Sequence, residues 1–86
     1  MTKADGLAAP VTPDPLRTRF CTLTGVQVPI VQTGMGWVSG ARLTAATANA
    51  GALGIIASAT MDLDQLAHAI DEVRQRAPGK PFGVNL

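Results

Sequence analysis

The sequence predicts an α/β fold built on a parallel sheet, and three observations carry that prediction. Short apolar runs at Ile30-Val31, Leu53-Gly-Ile-Ile-Ala57 and Phe82-Gly-Val-Asn-Leu86 are bounded by turn residues and read as strands. Two segments of helical character lie between them, an alanine-rich run over 41–50 and an amphipathic one over 62–77. The first strand passes straight into Gly34-Met-Gly36 and then a helix, which is the strand-loop-helix half of a βαβ unit. Such alternation belongs to parallel sheets, here with the strands adjacent in chain order.

Each element has its own local justification. Residues 1–15 carry Pro10, Pro13 and Pro15 and show neither periodicity, so a flexible leader is expected there, with the organised domain over 16–86. Leu16, Phe20 and Leu23 follow i, i+4, i+7 spacing and stop at Gly25, predicting one or two helical turns that pack Phe20 and Leu23 against the amino-terminal end of the sheet. Pro29 opens a strand over 29–34. Ser39 or Gly40 is the expected N-cap of the next helix, whose small side chains allow close approach to the sheet before Gly51 stops it. The run over 53–58 is continuously apolar, as in a strand covered on both faces.

Asp62 and Gln65 form a capping-box pair at the start of the second long helix. Leu63, Leu66, Ile70, Val73 and Ala77 make its apolar stripe, and Glu72 and Arg76 stand as an i, i+4 ion pair. Pro78-Gly-Lys-Pro81 turns the chain into a strand over 82–86.

Composition narrows the function classes. A chain of 86 residues has a small core, and with 47% hydrophobic, 15% charged and 3% aromatic residues it has little charge to coat a surface. Much of that surface is therefore expected to meet more protein. A net charge of +1 without a basic cluster gives no footprint for nucleic acid or acidic lipid. The single cysteine, Cys21, excludes an internal disulfide and reads as a small semi-buried residue of a reducing compartment. The opening Met-Thr-Lys-Ala-Asp-Gly is not a signal peptide, and no run reaches the ~18 apolar residues of a membrane span, so a cytoplasmic protein is expected.

In βα folds ligands bind at the carboxyl ends of the strands, which places Gly34, Met35 and Gly36 beside a ligand. This is not a dinucleotide fingerprint: Gly40 comes one residue late and no acidic residue closes the second strand. His68 lies mid-helix on the polar face and reads as a solvated histidine, and nothing has metal-ligand spacing, so neither a catalytic residue nor a metal site is assigned. Trp37 is either a core anchor or a ligand wall. Asn85, at the end of the third strand, is either a turn former or an amide directed at a ligand's polar edge.

Three blocks, Pro29-Ile-Val-Gln-Thr-Gly-Met-Gly-Trp-Val38, Asn49-Ala-Gly-Ala-Leu-Gly-Ile-Ile56 and Lys80-Pro-Phe-Gly-Val-Asn-Leu86, together resemble the first three strand blocks of the nitronate monooxygenase family. Phe20-Cys-Thr-Leu-Thr-Gly-Val26 is similar to that family's opening helix and turn. The resemblance implies a TIM (β/α)8 barrel that uses FMN to oxidise alkyl nitronates with oxygen. It implies that Gly34, Met35 and Gly36 lie along the flavin and that Asn85 contacts FMN. Such a barrel takes roughly 250 residues, so the chain is expected to be an incomplete, amino-terminal portion that is inactive alone, with the family's catalytic histidine and phosphate loops in later segments. Alternative readings are a portion of an FMN-dependent enoyl-acyl-carrier-protein reductase, a non-catalytic remnant that binds no flavin, or a small complete α/β module.

Overall fold

A computed structural model describes residues 14–86. Six elements follow in order: α1 (Arg19–Thr24), β1 (Val31–Gln32), α2 (Ala41–Asn49), β2 (Leu53–Ala57), α3 (Leu63–Arg76) and β3 (Phe82–Asn85). The three strands form one sheet in the order β1-β2-β3, and both pairings are parallel, as expected. Val31 stands opposite Leu53 at one seam, and Ile56 opposite Val84 at the other. Most of the leader expected over 1–15 lies outside the described residues.

The helices stop and start where local chemistry dictates. Gly25 ends α1 in the left-handed region at φ 86°, and its N–H donates to the Cys21 carbonyl at 2.8 Å. Gly51, at φ 96°, turns the chain after α2, and its carbonyl accepts from the Gln27 and Val28 N–H groups. At the head of α3 both halves of the capping box are made: Gln65 N–H donates to Asp62 Oδ1 at 2.8 Å and Asp62 N–H to Gln65 Oε1 at 2.9 Å. The Arg76–Glu72 pair closes at 2.7 Å on the exposed face.

The core lies between the helices and one face of the sheet. Ala41, Ala45 and Ala48 of α2, Ile56 of β2, and Ala69, Val73 and Ala77 on or beside α3 are buried together, with Leu66, Ile70, Phe82 and Val84 packed against them. Gly54 makes the close approach of α2 possible: a Cβ there would sit 2.5 Å from the Thr44 carbonyl oxygen. The small residues of α2 thus have the role expected of them.

Several details depart from expectation. Among the described residues β2 is covered mainly on its helix face; Leu53 and Ile55 on the other face are half-buried, because both α2 and α3 pack on the side of Ile56, and on that other face only Ala57 at the strand's end is buried. β1 is shorter than 29–34, with ladder pairing confined to Val31 and Gln32 and one further bond from Leu53 N–H to the Ile30 carbonyl. Leu23 is exposed, and it is Cys21, fully buried, that anchors α1. Leu63 is 84% exposed because it occupies the first helical position after the Asp62 cap, ahead of the turn where α3 reaches the sheet. Among the described residues no helix is long and apolar enough to cross a membrane.

Candidate functional site

The carboxyl ends of β1, β2 and β3 and the loops that leave them meet at one edge of the sheet. Gly34 follows β1 by two residues, Ser58 follows β2, and Asn85 is the last residue of β3. Parallel pairing is what brings residues so distant in sequence to a common end. A Cβ on Gly34 would lie 2.8 Å from Asn85 Nδ2, 2.9 Å from Cγ and 3.1 Å from Oδ1, so the amide group rests directly on the glycine. The structure therefore brings together two of the four residues that the sequence nominated. Ser58 Oγ donates to the Asn85 carbonyl oxygen and ties the end of β3 to the end of β2.

Met35 and Gly36 lie in the loop that rises from Gly34, and both are exposed. Ser39 holds this loop shut. Its hydroxyl accepts from Met35 N–H at 2.5 Å and donates to the Met35 carbonyl at 3.1 Å, while its own N–H donates to that carbonyl at 2.8 Å. Its carbonyl in turn accepts from Ala57 N–H at 3.0 Å, which pins the loop to the end of β2. Ser39 is 1% exposed. Of the two N-cap candidates, Ser39 and Gly40, α2 takes Gly40, without a side-chain bond, and the Ser39 hydroxyl faces back into the loop. A serine four residues after Met35 in a glycine-rich segment is a turn signal as well as a cap signal, and here the turn takes it.

Trp37 stands at the apex of this loop at φ 67°, and it is 88% exposed. Among the described residues it therefore joins no core. A bulky residue in the left-handed region is an outlier, with a cost of about 1–3 kcal/mol met by the surrounding bonds. Beside it a hollow of about 290 Å³ opens between the β1–α2 and β2–α3 loops, walled by Trp37, Ser39, Ala57, Thr60, Met61 and Gln65. None of these side chains is charged.

Below the site, Gln32 Nε2 donates to the Thr33 carbonyl at 2.7 Å and the Ile55 carbonyl at 3.1 Å, leaving its Oε1 buried without a partner among the described residues. Sequence reading passed over Gln32 and Ser58 and gave Ser39 only a capping role, because what these residues do depends on contacts across strands and loops. His68 is exposed on α3, in line with its reading as a solvated residue. No group of three or more potential metal ligands occurs among the described residues. The arrangement is suited to a flat, largely apolar ligand: a glycine platform at Gly34, uncovered apolar side chains at Met35 and Trp37, and one amide that both donates and accepts.

Known proteins resemble the chain along most of its described residues. The family pattern described as nitronate monooxygenase matches residues 17–86. A (3aS,4S,5R,7aS)-5-hydroxy-7a-methyl-1-oxo-octahydro-1H-indene-4-carboxyl-CoA dehydrogenase of Mycobacterium tuberculosis is 63% identical over 71 residues, covering 83% of this chain and 20% of the relative. A nitronate monooxygenase of Pseudomonas aeruginosa is 46% identical over 68 residues, covering 79% of this chain and 19% of the relative. The solved structure of FabK from Thermotoga maritima superposes with a TM-score of 0.77 at 47% identity, covering 81% of this chain and 22% of that one. The chain thus spans about a fifth of the length of its curated relatives. Its three parallel strands and their helices are a βαβαβ portion of a TIM barrel, incomplete in this chain. With the family pattern matched along nearly all of its organised residues, the chain belongs to the nitronate monooxygenase family.

Proposed function

We propose that this chain supplies part of the flavin site of an FMN-dependent oxidoreductase, and that the whole protein acts on a carboxyl-CoA thioester carrying a fused ring. The observation that carries the flavin reading is the seating of the Asn85 amide on Gly34 at the common carboxyl end of the strands. FMN, when bound, supplies two-electron redox chemistry that no side chain can perform. Gly34 and Gly36 leave the backbone open to a ring plane. Asn85 offers a donor and an acceptor to the ring's polar edge, and the bond from Ser58 orients the strand end that bears it. The Ser39 clamp keeps Met35 and Trp37 over the same end of the sheet, where they exclude water. The residues walling the hollow carry no charge, so the anchoring of the FMN phosphate falls to segments other than these.

The thioester substrate is supported by the 63% and 59% identity to two carboxyl-CoA dehydrogenases, against 46% to the nitronate monooxygenase. A second reading, oxidation of alkyl nitronates with oxygen, is favoured by the description of the family pattern itself. The test uses a full-length protein carrying this chain. Purified with bound flavin, it is mixed anaerobically with a saturated octahydroindene carboxyl-CoA, and separately with propyl-2-nitronate under air. Flavin bleaching by the thioester is the expected result. Oxygen consumption with the nitronate alone would establish the second reading, and a protein purified without flavin would overturn both.

A further inference from the structure

We propose that Trp37 is a specificity-determining residue whose indole walls a subsite for the ring portion of the substrate, an inference that rests on the thioester reading above. Three independent features point to it. Trp37 is the one non-glycine residue at positive φ among those described, and no side-chain packing among those residues repays that conformation, since it is 88% exposed. Strain held at an exposed aromatic marks a position kept for contact with something else. The residue that enforces the conformation, Ser39, is buried, bonds twice to Met35 through its hydroxyl, and is tied to β2 through its carbonyl. The indole is thus presented on a rigid mount.

The hollow that Trp37 walls decides what it contacts. At about 290 Å³ it lies at the lower end of the ~300–1,000 Å³ usual for small-molecule sites, so it holds one part of a substrate and not a whole CoA thioester. Its walls are uncharged and include Met61, Ala57 and the indole, which suits a fused hydrocarbon ring and gives the CoA phosphates no partner. Thr60 and Gln65 stand at its edge with polar groups for a ring hydroxyl or ketone. It opens beside Gly36, whose Cβ position lies 3.7 Å from Thr60 Cγ2, so a ring seated there adjoins the flavin-facing loop.

The experiment measures equilibrium binding to the flavin-loaded full-length protein by anaerobic calorimetry, with a saturated octahydroindene carboxyl-CoA and with butyryl-CoA, which shares the CoA and lacks the ring. Wild type is expected to prefer the ring thioester by roughly tenfold, the order of one good aromatic contact. Trp37→Gly is expected to abolish that preference, and Trp37→Phe to keep most of it. Glycine accepts positive φ freely, so the Tm of the Gly variant should match wild type. An unchanged preference in Trp37→Gly overturns the proposal, and so does a preference lost together with Tm, which would make Trp37 a structural residue. If wild type binds neither thioester, the thioester reading itself falls and takes this inference with it.

Discussion

Gly34 has no side chain, and the space that one would fill is held by Asn85. The first group that a methyl added at Gly34 meets is the Asn85 amide, 2.8 Å away. That amide is the exposed end of a side chain at a strand terminus and yields at little cost to the fold. Gly34→Ala is therefore expected to weaken flavin binding by about five- to tenfold, the worth of one misplaced hydrogen bond at ~1 kcal/mol, with Tm almost unchanged. Combined with Asn85→Ala it should add little further loss, because both act on the same group. The ratio of flavin to protein absorbance and a flavin titration check this; additive losses would separate the two residues. Gly54 is the opposite case, since its added methyl would meet the Thr44 backbone at 2.5 Å, which cannot swing aside. Gly54→Ala should destabilise the fold by about 3 kcal/mol through overpacking, read from denaturant unfolding, while the site residues are left untouched.

Helix α3 shows how differently two polar pairs on one element contribute. The Asp62–Gln65 box satisfies backbone donors that helix geometry leaves without partners, so Asp62→Ala should cost about 1 kcal/mol. The Glu72–Arg76 pair is short, at 2.7 Å, but both side chains are well exposed, and Glu72→Ala should cost under ~0.5 kcal/mol and less again in high salt. Denaturation of the two variants at low and high ionic strength distinguishes them; equal losses would contradict this ranking. At the far end of the same helix pair, Asn49 Nδ2 donates to the Arg76 carbonyl at 2.9 Å, joining the close of α2 to the close of α3. The helices are thereby held together opposite the site, and the loops at the other end are left to the ligand.

At the scale of the whole molecule, β1 and β3 each pair with one neighbour among the described residues, and Ile30, Val31 and Ile55 lie on parts of the sheet that no helix covers. Two unpaired edges and an uncovered apolar face favour association over a cooperative fold. Val84, by contrast, packs with Phe82 toward the helices. The 86-residue chain by itself is expected to melt broadly, bind a hydrophobic dye and retain no FMN through gel filtration. A sharp transition in a monomer with flavin still bound would show that these residues suffice as a domain.

Alternating apolar runs, the Asp62–Gln65 box and the stops at Gly25 and Gly51 determined the succession of elements and the parallel sheet, because each depends on neighbours within a few residues along the chain. The same locality exposed Gly34, Met35, Gly36 and Asn85 as candidates, since strand ends in such sheets share one edge. Only the tertiary structure decided that Asn85 rests on Gly34, that Ser39 clamps a loop instead of capping a helix, and that Trp37 is held exposed at positive φ. Which face of β2 is covered also had to wait for it, because a period-two strand is silent about where its helices pack. Those outcomes turn on contacts that local patterning does not rank, from the Ser39–Met35 bonds within one loop to the meeting of Gly34 and Asn85 across the sheet, where van der Waals contact and hydrogen-bond geometry select among local options that the sequence leaves nearly equal in energy.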